Sequence, residues 1–240
     1  MRRGLAGSSE QALALIAAGR VTVGGGPALK AERLVRADEP VVVAGEGPRF
    51  VSRGGEKLQA AVEKFGLEPE IAGARALDAG ASTGGFTDCL LQNGAAQVIA
   101  VDVGYGQLHE KLTTDPRVEV RDRTNIKGLE LDEPVDIVVA DLSFISLRRV
   151  LPTLLGLVKA GGSLVALVKP QFEAERGEAD RGQGVIRDPE VHERVLADIR
   201  DALHEHAAAI MGEMVSPLHG ADGNVEFLVH ARAATPGGPG

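Results

Sequence analysis

The residues with the most chemical content sit where apolar runs stop. Leu77-Asp78-Ala79-Gly80-Ala81-Ser82-Thr83-Gly84-Gly85-Phe86-Thr87 joins an apolar run, Ala74 to Leu77, to a helical pattern, Phe86 to Asn93. Gly80 and the Gly84-Gly85 pair let the backbone approach a ligand with no Cβ in the way. A dinucleotide site would need G-x-G-x-x-G and a helix N-terminus facing a pyrophosphate. Here the acid Asp78 stands two residues ahead of the first glycine and the glycines run G-x-x-x-G-G. That pattern suits a cofactor carrying an ammonium and no phosphate, which describes S-adenosylmethionine. Glycine at such a turn also serves local geometry, so the ligand reading rests on the whole string. Other charged residues end other runs. Asp102 follows Gln97 to Val101, where it can accept both hydroxyls of a ribose or cap its own turn, Val103-Gly104-Tyr105-Gly106. Asp141 ends Val135 to Ala140, Lys169 ends Ser163 to Val168, Glu226 enters Val225 to Ala231, and Lys57 lies on the helix opening at Arg53-Gly54-Gly55. Ligands in open α/β sheets bind outside the carboxyl ends of the strands, so Asp141 and Lys169 are expected beside the glycine loop.

The elements that must hold these residues alternate. Strands at Ala74–Leu77, Gln97–Val101, Val118–Val120, Val135–Ala140 and Ser163–Val168 are separated by helical patterns, which predicts a doubly wound α/β domain. A helix from Pro189 to about His206, a strand near Ile210 to Val215 and the last strand, Val225 to Ala231, complete seven strands. Ahead of this domain, Ser8 caps a helix reaching Gly19, Gly19 to Val23 starts a strand, Gly24 to Pro27 turns, and Val41 to Val43 forms a second strand. The expected organisation is a small α+β module over 1–46, a linker over 47–53, a large domain over 54–232 and a disordered tail over 233–240.

With 240 residues and 44% apolar composition the chain can bury a full core, and no apolar run approaches the ~18 residues needed to cross a bilayer. Met1-Arg2-Arg3-Gly4 leads into Ser8, Ser9 and Glu10 without an apolar stretch, so no secretory signal is expected and the cytoplasm is the expected compartment. One cysteine, Cys89, excludes an internal disulfide and a thiolate metal cluster, and no metal is expected. The net charge of −8 hides an asymmetry: residues 1–54 carry eight Lys and Arg against five acids, leaving −11 on the rest. Arg2, Arg3, Arg20, Lys30, Arg33, Arg36 and Arg53 are the candidate phosphate contacts, although a solvated surface accounts for so small an excess equally well.

D-A-G-A-S-T-G-G-F-T resembles the cofactor loop of the class I methyltransferases, specifically the FtsJ-like ribose methyltransferases. The resemblance implies a Rossmann-like sheet closed by an antiparallel hairpin. It also implies S-adenosylmethionine contacts from Asp78, Gly80, Ser82, Thr83, Gly84, Gly85, Phe86 and Asp102. Asp122, in Arg121-Asp122-Arg123-Thr124-Asn125, resembles the position that meets adenine, and a turn reading serves it equally well. Lys57, Asp141, Lys169 and Glu226, within S-R-G-G-E-K-L, A-D-L-S-F-I-S, V-K-P-Q-F-E and G-N-V-E-F, resemble the K-D-K-E tetrad of the FtsJ-like 2′-O-methyltransferases. S-x-E-Q-A-x-x-L-I-x-x-G-R-V-x-V resembles the RNA-binding domain of the fourth small-subunit ribosomal protein and of pseudouridine synthases, with only Met1 to Leu5 left of an opening helix, so the natural start can lie upstream. Together these make the whole chain similar to the TlyA family, historically called haemolysins, which implies methylation of cytidine ribose in 16S or 23S ribosomal RNA, free or in ribosomal subunits.

Methyl transfer from a sulfonium is an in-line displacement with a neutral leaving group, so alignment matters most. Lys169 could take the ribose proton only as a free amine, and an ordinary lysine near pKa ~10.4 is almost wholly charged at pH 7. Neighbouring carboxylates favour the ammonium, whereas Lys57 and the cofactor's charge oppose it, so Lys169 is either base or hydroxyl-orienting group. Asp141 and Glu226 would position it, and Lys57 would add a second cation. Three other readings compete: a nicotinamide-dependent oxidoreductase lacking its fingerprint, a non-enzymatic ribosome-binding protein, and a membrane-active haemolysin lacking a convincing membrane-active segment.

Overall fold

The computed structural model describes residues 3–6, 8–45, 48–175, 177–178, 182 and 184–235. By its internal contacts the chain divides into two units, Met1–Ser52 and Arg53–Gly240.

In the first unit, α1 (Ser9–Ala17) begins where the Ser8 hydroxyl accepts the Gln11 N–H at 3.1 Å, satisfying a first-turn donor that has no partner within the helix. Leu15 from this helix packs with Val21, Val23 and Ala28. Three strands, β1 (Val21–Val23), β2 (Gly26–Pro27) and β3 (Val41–Val43), form an antiparallel sheet in the order β2-β1-β3. Gly26-Pro27 is thus a short strand rather than part of the turn. The turn is Gly24-Gly25, with φ of +61° and +83°, the two positive angles that a two-residue hairpin demands.

The second unit contains α2 (Gly54–Phe65), α3 (Glu68–Ile71), β4 (Arg75–Ala79), α4 (Gly85–Gln92), β5 (Gln97–Val101), α5 (Glu110–Thr113), β6 (Val118–Arg121), β7 (Val135–Ala140), α6 (Leu151–Gly156), β8 (Val158–Val168), α7 (Pro170–Glu173), α8 (Pro189–Glu205), β9 (Ala209–Val215) and β10 (Phe227–Arg232). The seven strands run in the order β6-β5-β4-β7-β8-β10-β9. Pairing is parallel from β6 to β8, and β10 is antiparallel to both its neighbours. This is the doubly wound sheet with an antiparallel hairpin expected of a class I methyltransferase. The order reverses between β4 and β7, so a crevice opens above the end of β4, where the glycine loop starts.

Burial explains the elements. Leu77, Ile99, Val138 and Leu164 are buried on the central strands in one core with Leu151 and Leu154 of α6 and with Val191, Val195, Ile199 and Leu203 of α8. Those four positions on α8 recur at intervals of four, one stripe of the helix. Pro189 sits in its first turn and the Asp188 side chain accepts the Glu190 N–H.

Several boundaries differ from expectation: β4 runs on to Ala79, so Asp78 lies inside it, and β10 opens at Phe227 rather than at Val225. β8 begins at Val158, five residues early: Val158 pairs with Val135, and after an irregularity Ser163 pairs with Ile137. Gly161-Gly162 disguises this part of the strand, and a Cβ at Gly162 would lie 2.6 Å from the Asp136 carbonyl oxygen. At the other end, Ala233 is buried and held to Gly161 and Gly162 by two backbone hydrogen bonds. Ordered chain therefore continues past 232, and 236–240 lie outside the described residues.

Candidate active site

The glycine loop folds as it does because neighbouring strand ends crowd it. Gly80 has φ +89°, and a Cβ there would stand 2.4 Å from the Asp141 carbonyl oxygen. Gly84, at φ +99° ahead of α4, would drive a Cβ into Leu112 and Leu108. Both glycines therefore serve the fold as well as any ligand. Ser82 holds φ +46°, and its N–H donates to Asp102 Oδ2 at 2.8 Å. The Gly104 N–H donates to Asp102 Oδ1 at 2.7 Å, so one carboxylate braces both loops. Asp102 caps its turn and still faces a cavity of about 490 Å³, which Gly80, Ser82, Gln107, Thr124, Asn125, Asp141 and Ser143 also line. Each carboxylate oxygen accepts more than one hydrogen bond, so capping leaves capacity for a ribose.

The remaining candidate cofactor residues stand elsewhere. Asp122 accepts the Gly106 N–H at 2.8 Å, and Thr124 and Asn125 take the cavity wall after β6. Phe86 is buried in α4, Gly85 opens that helix, and the Thr83 carbonyl accepts the His109 N–H. Asp78 is fully buried: its Oδ2 accepts the Thr87 hydroxyl at 2.6 Å, and its Oδ1 has no hydrogen-bond partner among the described residues. Burial pushes its carboxyl up to about 7. The Thr87 hydrogen bond opposes this, and the charges of Asp141 and Asp102 add to it.

The four tetrad residues form two ion pairs. Lys57 Nζ lies 2.5 Å from Glu226 Oε2, with side chains 11% and 3% exposed. Lys169 Nζ lies 2.6 Å from Asp141 Oδ1 and donates to Ser143 Oγ at 3.0 Å. The sheet sets this arrangement. Phe227 pairs with Val168, so Glu226 and Lys169 leave adjacent strands at one level, and Ala140, just before Asp141, pairs with Ala166. Glu226 itself precedes β10 rather than lying in it.

A second, larger cavity of about 930 Å³ shares Phe144 and Ile145 with the first and is lined by Lys127, Arg148, Arg149, Gln171 and Phe172. Phe144 is 91% exposed and its ring lies 5.3 Å from that of Phe172. Cations beside an exposed ring suit a strand whose phosphates need charge and whose bases need a stacking face. Glu173 holds this wall: its buried carboxylate accepts the Ser146 hydroxyl at 2.6 Å and the Leu147 N–H at 2.5 Å, and burial raises its pKa. Gln107, Thr124, Asn125, Ser143 and these basic residues were not singled out from sequence, because polar loop residues carry no periodicity that separates ligand contacts from turn formers.

The candidate RNA contacts divide. Arg3 donates to the carbonyls of Arg36, Ala37 and Glu39, Arg20 donates to the Ala44 carbonyl, Arg33 pairs with Glu39, and Arg36 pairs with Asp38. Lys30 is exposed, Arg53 precedes α2 in the second unit, and Arg2 lies outside the described residues. Among the described residues no helix is long and apolar enough to cross a membrane.

The model of the FtsJ-like methyltransferase family matches residues 50–233. The 16S/23S rRNA (cytidine-2'-O)-methyltransferase TlyA of Mycobacterium tuberculosis is 47% identical over 239 residues, 98% of this chain and 88% of that protein. Hemolysin A of Brachyspira hyodysenteriae is 40% identical, with 93% of each chain covered. A solved structure from Streptococcus thermophilus, titled as a hemolysin, superposes with a TM-score of 0.78 at 39% identity, covering 97% of this chain and 86% of that one.

Proposed function

The chain belongs to the FtsJ-like methyltransferase family and, within it, to the TlyA proteins, and from that premise we propose that it methylates the 2′-hydroxyl of cytidine in 16S or 23S ribosomal RNA, with S-adenosylmethionine as donor. One observation carries the reading: Lys169 contacts residues that line the smaller cavity and stands near the ring of one that lines the larger. Asp141 and Ser143 border the smaller one, and Phe172, whose ring lies 6.0 Å from Lys169 Nζ, borders the larger. A ribose reaching over from the basic cavity would therefore meet a lysine at the edge of the cofactor cavity.

The smaller cavity fits the donor, because Asp102 offers paired acceptors to a ribose and Gly80 leaves the strand end open. When bound, the donor supplies a methyl group on a positively charged sulfur that leaves neutral. The protein's work is then alignment and management of one hydroxyl proton. Lys169 faces that hydroxyl as base or orienting group, Asp141 holds Lys169, and Glu226 holds Lys57 as a second cation. The N-terminal unit contributes RNA affinity, and the cytoplasm supplies ribosomal subunits as substrate.

The test is methyl incorporation from labelled S-adenosylmethionine into ribosomal subunits from cells lacking the protein, with the modified ribose then mapped. Lys169→Ala should lose incorporation while keeping cofactor affinity. RNA binding without incorporation by the unaltered chain would support a non-enzymatic ribosome-binding protein instead.

A further inference from the structure

Resting on that reading, we propose that Ser143 is a positioning residue that sets the orientation of the Lys169 amine. Nζ carries three substituent positions that rotate together about the Cε–Nζ bond, so one directional bond fixes all three. Asp141 does not supply it. Its Oδ1 lies 2.6 Å from Nζ without making a hydrogen bond, so it draws N–H groups to its side and leaves the directional contact to Ser143. The directional bond is the one from Nζ to Ser143 Oγ at 3.0 Å.

The consequence appears when Lys169 is a neutral amine, with two N–H groups and one lone pair. Ser143 Oγ accepts one N–H, and the negative Asp141 draws the other. The lone pair is repelled by both oxygens and takes the third position, since Nζ makes no other hydrogen bond to the described residues. A base needs its lone pair there, toward the hydroxyl to be methylated. In the ammonium form the same bond directs the third N–H to that place, so Ser143 sets the geometry whether Lys169 acts as base or as orienting group. Ser143 is exposed and lines the cofactor cavity, and no acceptor for its own hydroxyl proton is seen among the described residues. The serine can therefore rotate to accept from Nζ without giving up another bond.

Ser143→Thr and Ser143→Val have nearly the same shape and differ in the hydroxyl. Single-turnover methylation of ribosomal subunits from cells lacking the protein, with tritium-labelled S-adenosylmethionine, is measured beside calorimetric cofactor affinity. Ser143→Val should lose ~100-fold in the transfer rate at saturating RNA, the scale of a mispositioned reacting group, with KM for the subunits and cofactor affinity unchanged. Ser143→Thr should recover most of that rate. Equal rates for the two variants, or a loss of cofactor affinity in Ser143→Val alone, would overturn the assignment. No incorporation by the unaltered chain would instead overturn the proposed reaction, and this assignment with it.

Discussion

Lys57 Nζ meets Glu226 Oε2 at 2.5 Å across 169 residues of sequence, and both side chains are withdrawn from water. The contact joins α2, which precedes the sheet, to the last loop before β10, level with the strand end that carries Lys169. Removing one partner leaves the other charge buried and alone. Such losses cost about 3–5 kcal/mol, whereas replacing both partners by uncharged groups is far milder. Lys57→Met should lower the melting temperature sharply, and Lys57→Met with Glu226→Gln should recover much of the stability. Methyl transfer should stay low in both. If activity returned with stability, Lys57 would be a structural cation only, and thermal melting beside a methylation assay separates the two cases.

Asp102 braces its own loops and, on the proposed reading, meets the donor's ribose, so its substitutions should be graded. Asp102→Ala removes acceptors for Ser82 and Gly104 as well as for a bound ribose. One charge-assisted hydrogen bond is worth roughly 1.5–3 kcal/mol, and the freed loop amides add to the loss. Calorimetry should show S-adenosylmethionine affinity falling at least ~10-fold for Asp102→Ala and less for Asp102→Asn, which keeps one acceptor. Unchanged affinity in Asp102→Ala would remove Asp102 from the ribose role.

The sheet was legible because buried parallel strands are continuous apolar runs and the residues ending them are charged. Legibility failed where glycine interrupted a run, at Gly161-Gly162 in β8 and at Gly26 in β2. Within the site, sequence placed Asp141, Lys169 and Glu226 at strand ends but could not say which lysine would pair with which acid, because pairing depends on register across three strands. It also could not say which way a strand-end acid turns. Asp102, just past the end of β5, faces the cavity, whereas Asp78 lies inside β4, level with Ala100, and its carboxylate accepts the Thr87 hydroxyl.

Internal pairing in the N-terminal unit sharpens the RNA prediction. Arg33 and Arg36 are paired with Glu39 and Asp38, while Lys30 is exposed on the same stretch. Neutralising a cation that meets a phosphate should lower the slope of log affinity against log salt by about one. Lys30→Gln with Arg33→Gln should weaken binding to ribosomal RNA at low salt and flatten that slope by up to about two, with cofactor affinity unaffected. Equal slopes for the variant and the unaltered chain would show that RNA affinity comes from elsewhere, with the basic cavity at Lys127, Arg148 and Arg149 the next place to substitute.

Asp78 gives the protein a pH dependence whose sign follows from burial. Its carboxyl titrates at about 7 in the fold against an ordinary value of 3.8, so between those values the folded state holds a proton that the unfolded chain has released. Stability from this group is therefore fully present below about 3.8, falls as pH rises through that interval, and levels off above about 7, where the buried carboxylate is charged in the fold. Asp78→Asn removes the titration and should flatten the decline in melting temperature between mild acid and neutral pH. A positively charged donor bound above the loop favours the carboxylate and lowers its pKa, so binding near neutral pH should release protons and tighten as pH rises. Calorimetry in buffers of different ionisation enthalpy counts those protons. If the unaltered chain and Asp78→Asn released the same number, the proton would come from another group, and the orphaned Oδ1 of Asp78 would have no part in holding the cofactor's charge.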